Sequence, residues 1–174
     1  MPNLAKLAPF DDDGALRIIV ESPRGSPLKF AYDPALELFA ITRELPLGVV
    51  YPCDWGFIPG TLGDDGDPLD GMVLHPAPSY PGIVLPCRIL GMVKVTQRER
   101  RGKAQVNNRI IATPNWHTPL TRLTDARELP KESRKELERF FVMAVAHTGK
   151  QLTIDGWASR REAERFVRKC VINR

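Results

Sequence analysis

Between Leu16 and Ala112 the apolar positions fall in short β-branched runs separated by turn residues, a pattern that predicts strands rather than helices. Leu16 to Glu21 is one such run, closed by the turn cluster Ser22-Pro23-Arg24-Gly25-Ser26-Pro27. Lys29 to Asp33 and Leu36 to Ile41 predict a hairpin around Pro34-Ala35, and Gly71 to His75, Ile83 to Val95 and Arg109 to Ala112 predict three further strands. The 16 prolines lie mostly between these segments, as short strands joined by irregular loops require. Towards the C-terminus the period changes. Leu137, Phe140, Phe141, Ala144 and Val145 stand at i, i+3, i+4, i+7 and i+8, the stripe of an amphipathic helix. A second helix is predicted from Ser159, where Glu162 completes a capping box and Ala163, Phe166, Val167, Cys170 and Val171 form the stripe. Many strands followed by two helices, without βαβ alternation, predict one mainly β, α+β domain over residues 1–174: a small barrel with helices packed outside.

Composition narrows the class. The 174 residues are 26% charged and 43% apolar, which excludes wholesale disorder. No apolar run approaches the roughly 20 residues that span a bilayer, and Met1 to Lys6 lacks the apolar core of a secretory signal. Cys53, Cys87 and Cys170 are odd in number and lack C-x-x-C spacing, so neither a disulfide framework nor a zinc ribbon is expected. A cytoplasmic location follows as the expectation. The net charge is +4, and it is uneven: Arg98, Arg100, Arg101, Lys103 and Arg109 face only Glu99 between Gln97 and Arg109. The chain has one basic loop rather than a basic surface.

The densest chemistry is Gly63-Asp64-Asp65-Gly66-Asp67-Pro68-Leu69-Asp70. Asp65, Asp67 and Asp70 crowd three carboxylates onto a segment bent by Gly66, and a hard cation with oxygen ligands is the natural counter-charge. Mg²⁺ fits, since it binds through one or two carboxylates and keeps waters for a phosphate substrate. A solvated acidic turn is the alternative; an EF-hand is not, because no glutamate stands where that loop requires one. Upstream, Val50 to Ile58 is rich in aromatics and reads alone as core, and Lys29 and Arg43 read alone as surface charges. His75, His117 and His147 lack ligand spacing, and Trp157 reads as an anchor for the second helix.

Taken in order, Glu21, Pro27-Leu28-Lys29, Arg43, Tyr51-Pro52-Cys53 with Gly56, and Asp65-Gly66-Asp67-Pro68-Leu69-Asp70 resemble the soluble, family I inorganic pyrophosphatases. The likeness continues through Pro81-Gly82, Cys87-Arg88, Gly91, Lys94, Phe140-Phe141 and Gly156-Trp157, nearly the whole chain. It implies a five-stranded, OB-like closed β-barrel flanked by two helices, Mg²⁺ dependence with Mn²⁺ as a substitute, and a cytoplasmic homo-oligomer, a hexamer on the family pattern. It also implies roles: Asp65, Asp67 and Asp70 hold metal, and Asp67 is the base beside the attacking water. Lys29, Arg43 and Tyr51 contact phosphate oxygens, Glu21 supports them, and Trp55 stands on the substrate wall in place of a tyrosine.

The second half of that pattern is altered. Two further metal-binding aspartates fall at Gln97 and Asn107, whose neutral oxygens cannot cancel a cation's charge. Arg109 replaces a lysine, Ala31 a glutamate, and Ala144-Val145 a phosphate-binding Tyr-Lys pair. Three readings follow. The first is a pyrophosphatase of reduced activity. The second is an impaired homologue that binds a phosphorylated ligand or a protein partner. The third is an OB-like nucleic-acid binder acting through loop 98–103, which lacks the aromatic platform that single strands need. The first is the stronger expectation; nucleic acid and membrane are not expected partners.

Overall fold

The computed structural model describes residues 3–99, 102–116 and 122–172. Among these residues, nine strands and two α-helices make the fold mainly β: β1 (Leu16–Ser22), β2 (Leu28–Asp33), β3 (Leu38–Glu44), β4 (Asp54–Phe57), β5 (Asp70–Val73), β6 (Val84–Glu99), β7 (Ala104–Val106), β8 (Arg109–Pro114), α1 (Lys131–Ala144), β9 (Lys150–Ser159) and α2 (Arg160–Lys169). Strand pairing closes on itself: β1 pairs β4, β4 pairs β5, β5 pairs β8, β8 pairs β6, and β6 returns to β1. All these pairs are antiparallel except β5–β8. The long strand β6 serves β1, β7, β8 and β9 by bending where its register shifts, between Ile89 and Gly91 and opposite β9 at Lys94 and Val95. Gly56 is obligatory in this ring, because a Cβ there would lie 1.9 Å from the Ile19 carbonyl oxygen on β1.

Two apolar clusters fill the fold. One joins Leu16, Ile18 and Val20 to Ala163 and Val167 of α2; the other joins Tyr51, Met72, Val93 and Ile111 to Leu137, Phe140 and Phe141 of α1. Helix α2 starts at the expected capping box, with the Ser159 and Glu162 side chains each meeting the other's backbone N–H. Leu137, Phe140 and Phe141 of α1 and Ala163 and Val167 of α2 face inward as expected, whereas Val145 lies past the end of α1, and the hairpin around Pro34-Ala35 is β2–β3.

Three strands lie outside the sequence expectation. Strand β4 is short and carries a glycine, and β7 is three exposed residues, so neither shows a period. Strand β9 separates the two helices, so strands do not simply precede helices. Its register with β6 runs from Gly91 opposite Ser159 to Glu99 opposite Lys150. Trp157 therefore belongs to a strand, and it anchors α1 rather than α2: its Nε1 donates to Glu138 Oε1 at 2.6 Å, and Arg134 lies 5.9 Å from the ring centre. The cysteines are free, Cys53 and Cys87 buried and Cys170 half-buried, with burial pushing all three thiols up. His75 pairs with buried Asp54 at 2.8 Å, and His117 lies outside the described residues.

Candidate active site

The β2–β3 hairpin, the segment leading into β5, the outer ends of β6 and β9, and the end of α1 surround a cleft of about 320 Å³. Glu21, Lys29, Arg43, Tyr51, Trp55, Asp65, Asp67 and Asp70, all expected from the sequence, line it together. So do the altered positions Gln97, Asn107, Arg109, Ala144 and Val145; Ala31 does not, and stands on β2 opposite Ala40 of β3. Sequence reasoning missed Lys150 and passed over Glu99 as part of the basic loop. The only signal for them is spatial, since β6–β9 register sets Glu99 opposite Lys150, with Nζ and Oε1 3.9 Å apart. Arg98 and Lys103 are exposed and are not among the cleft's described residues, and Arg100 and Arg101 lie outside the described residues.

The hairpin supplies the cationic side. Lys29 and Arg43 are register partners, so two positive groups stand side by side on adjacent strands. Burial holds the Lys29 ammonium below its ordinary range, opposed by nearby Glu21, whose own carboxyl burial pushes up. Glu21 accepts from the Tyr32 N–H at 2.8 Å, which fixes the carboxylate at the end of β1. Arg43 donates through Nη2 to the Ala144 carbonyl, tying the hairpin to the C-terminus of α1. Tyr51 is buried, hydrogen-bonded to Ser22 and packed edge-on against Trp55, and burial raises its hydroxyl.

The acidic side is a tied turn. Gly63 N–H donates to the Asp67 carbonyl at 2.8 Å, Gly66 N–H to the Gly63 carbonyl at 3.1 Å, and Gly66 takes φ of 86°. Buried Thr61 holds the base of the turn by accepting the Leu69 N–H at 3.0 Å. Asp67 is left exposed at the cleft and Asp65 half-buried.

Asp70 is different. It opens β5, and its register partner in the parallel β5–β8 pair is Arg109, which opens β8. Arg109 Nη1 donates both to Asp70 Oδ2 and to Asn107 Oδ1. Trp55 Nε1 donates to Asp70 Oδ1 at 3.1 Å, and its ring lies 5.1 Å from the guanidinium carbon. Arg109 is 5% exposed, its Nε has no hydrogen-bond partner, and burial draws its pKa down to about 10, which leaves it charged at neutral pH.

The cleft's donors to a cation are carboxylate and amide oxygens, with no imidazole or thiol among the described lining residues. That set suits a hard ion such as Mg²⁺. Among the described residues no three acidic, histidine or cysteine side chains converge as a ready cage.

Known proteins resemble this chain over most of its length. The model of the inorganic pyrophosphatase family matches residues 18–173. An inorganic pyrophosphatase of Thermus thermophilus is 36% identical across 98% of this chain and 97% of its own length, and one of Leifsonia xyli is 36% identical across 88% and 91%. The crystal structure of the Thermus thermophilus protein superposes with a TM-score of 0.87 at 34% identity, covering 97% of both chains; that of a Neisseria gonorrhoeae inorganic pyrophosphatase gives 0.83 at 26%, covering 95% and 94%. The carboxylate turn, the cationic hairpin and the ring of strands that holds them agree with these likenesses, and the chain belongs to the inorganic pyrophosphatase family.

Proposed function

We propose that the chain hydrolyses inorganic pyrophosphate to two phosphates with Mg²⁺, Mn²⁺ serving as a substitute. The observation that carries this is the placement of Asp65 and Asp67 across one cleft from the Lys29–Arg43 pair. Lys29 and Arg43 hold phosphate oxygens, the guanidinium fork offering two parallel donors. Tyr51 donates its hydroxyl to the same group, Glu21 keeps Lys29 charged and aimed, and Trp55 walls the site. Asp65 offers the metal-holding carboxylate, with Asp67 and Asp70 beside it. When bound, Mg²⁺ supplies acidity to a coordinated water and counter-charge to the phosphates. Asp67 takes the proton of the attacking water on a carboxylate oxygen as the water's oxygen bonds to one phosphorus. The bond from that phosphorus to the bridging oxygen breaks, and the bridging oxygen leaves with the second phosphate, its charge offset by Lys29 and Arg43.

Gln97, Asn107 and the Ala144-Val145 pair support a turnover below that of relatives carrying acids and Tyr-Lys there. The likeness to inorganic pyrophosphatases along nearly the whole chain favours neither the reading as a non-hydrolytic binder nor that as a nucleic-acid binder. Exposed Leu38, Ile41 and Leu47 on and beside the β2–β3 hairpin support a homo-oligomer, a hexamer on the family pattern. No helix among the described residues is long and apolar enough to cross a membrane; the cytoplasmic setting of the proposal rests on the family pattern alone. Phosphate release from pyrophosphate between pH 6 and 10, with Mg²⁺ and with chelator, is the test. Metal-dependent release is expected; none at any pH would overturn the proposal.

A further inference from the structure

The acidic and amide oxygens of the cleft are not equally open to a cation. Both oxygens of Asp70 already hold protein donors: Arg109 Nη1 on Oδ2 and Trp55 Nε1 on Oδ1. The Asn107 side-chain oxygen is taken by the same Arg109 nitrogen. Asp65 and Asp67, by contrast, form no ion pair at contact distance with any described residue: Asp65 feels the Arg109 charge only at longer range, and it accepts only the Asp67 backbone N–H, at 3.3 Å. The Arg109 guanidinium is not a passing surface contact. It is buried in the wall at the start of β8, set opposite Asp70 by the parallel register, and covered by the Trp55 indole. Its Nε is buried without a partner, so the group is held by Asp70 and Asn107 rather than by a full set of its own hydrogen bonds. A carboxylate and an amide are together one negative charge, and one guanidinium balances it. Two carboxylates there would leave a charge for a metal to answer; Asn107 removes that surplus.

We propose that Arg109 is the resident cation of the Asp70–Asn107 side of the cleft, filling the place of a divalent ion between those oxygens and confining divalent binding before substrate to the Asp65–Asp67 side. The proposal rests on the pyrophosphatase reading of the cleft and deepens it, because it says how that site works with two acidic positions converted to amides. A fixed guanidinium needs no free metal to be in place, so this half of the site is preorganised at any Mg²⁺ concentration. Asp70 then acts as a positioning residue through Arg109. Trp55 belongs to the same unit, since its ring excludes water from the guanidinium and its N–H occupies the second Asp70 oxygen.

The test is Mn²⁺ binding to the protein without substrate, followed by the electron-spin-resonance signal of free Mn²⁺ and by calorimetry. Asp65→Asn is expected to weaken Mn²⁺ binding at least tenfold, while Asp70→Asn changes it by less than twofold. Arg109→Met is expected to add a site or tighten binding at least tenfold, because it exposes Asp70 and Asn107. If Arg109→Met does not fold, the contrast between Asp65→Asn and Asp70→Asn decides alone. Equal weakening by those two variants would overturn the proposal, as would folded Arg109→Met with unchanged Mn²⁺ binding. Phosphate release is measured separately, and its absence would overturn the hydrolytic reading while the Mn²⁺ titration still decides the place of Arg109.

Discussion

Val145→Lys asks whether the apolar end of the cleft is site or core. By spacing, Val145 extends the α1 stripe, and a lysine there would drive a charge into the interior. In the structure α1 ends at Ala144, and Val145 is its C-cap residue, half-buried and lining the cleft. Removing a half-buried valine gives up about 1 kcal/mol, half the burial of a fully covered one. The lysine stem covers part of the same surface, and an ammonium at a helix C-terminus recovers roughly 0.3–1 kcal/mol. The net loss is then at most about 1 kcal/mol, which moves Tm by no more than about 4 °C in a chain of this length. The gain lies at the substrate. One partly exposed ammonium–phosphate pair contributes about 1 kcal/mol, or about fivefold in KM. Charge does not forbid it, because Glu21, Asp65, Asp67, Asp70 and Glu99 in the cleft already outnumber Lys29, Arg43, Arg109 and Lys150. Melting curves paired with phosphate release over a pyrophosphate series provide the assay. A Tm within about 4 °C of the parent and a KM lowered about fivefold are expected. A Tm lower by more than about 8 °C with unchanged KM would refute the reasoning, since it would place the side chain in the core.

Asp67→Asn is expected to reduce kcat at least about 100-fold, the lower end for a lost general base; Asp67 is exposed, so Tm should stay within a few degrees, as a melting curve checks. Burial lowers the Lys29 pKa, so its ammonium is lost as pH rises at a lower pH than a free lysine's 10.5. The alkaline fall in kcat/KM should therefore move to higher pH in Lys29→Arg, measured as a pH profile. Gln97→Asp should lower the Mg²⁺ concentration for half-maximal activity, whereas Asn107→Asp should do so less, because its carboxylate meets Arg109. Trp157→Phe removes the bond to Glu138 and should cost about 1–3 kcal/mol, a fall of several degrees in Tm.

The parts of the fold legible in the sequence are those where burial imposes a period. β1 and β8 lie in the core along much of their length, so each carries a buried apolar run, Ile18 to Val20 in one and Ile110 to Ala112 in the other, that announces the strand. β9 alternates Leu152 and Ile154 with exposed neighbours, but only Ala158 is fully buried in it, and a mostly polar strand between two helices has no such run. The site divides the same way. Its carboxylates Asp65, Asp67 and Asp70 are visible as a crowded turn that a solvated loop would also explain, and its cations Lys29 and Arg43 are visible only through the order of the motifs around them. The pairing of Asp70 with Arg109 is not visible, because 39 residues separate them and only the parallel β5–β8 register sets them face to face. By resemblance, arginine for lysine at 109 is a mild change. In the fold it is decisive, because the planar guanidinium can reach Asp70 and Asn107 at once while lying under an indole. Val145 misleads for the opposite reason: an apolar residue that lines a cleft and one that fills a core carry the same letter at the same spacing, and only the helix end tells them apart. Substitutions that share a motif must thus be weighed by the strand register and helix ends around them, since Gln97, Asn107 and Arg109 change one charge balance together rather than three positions apart.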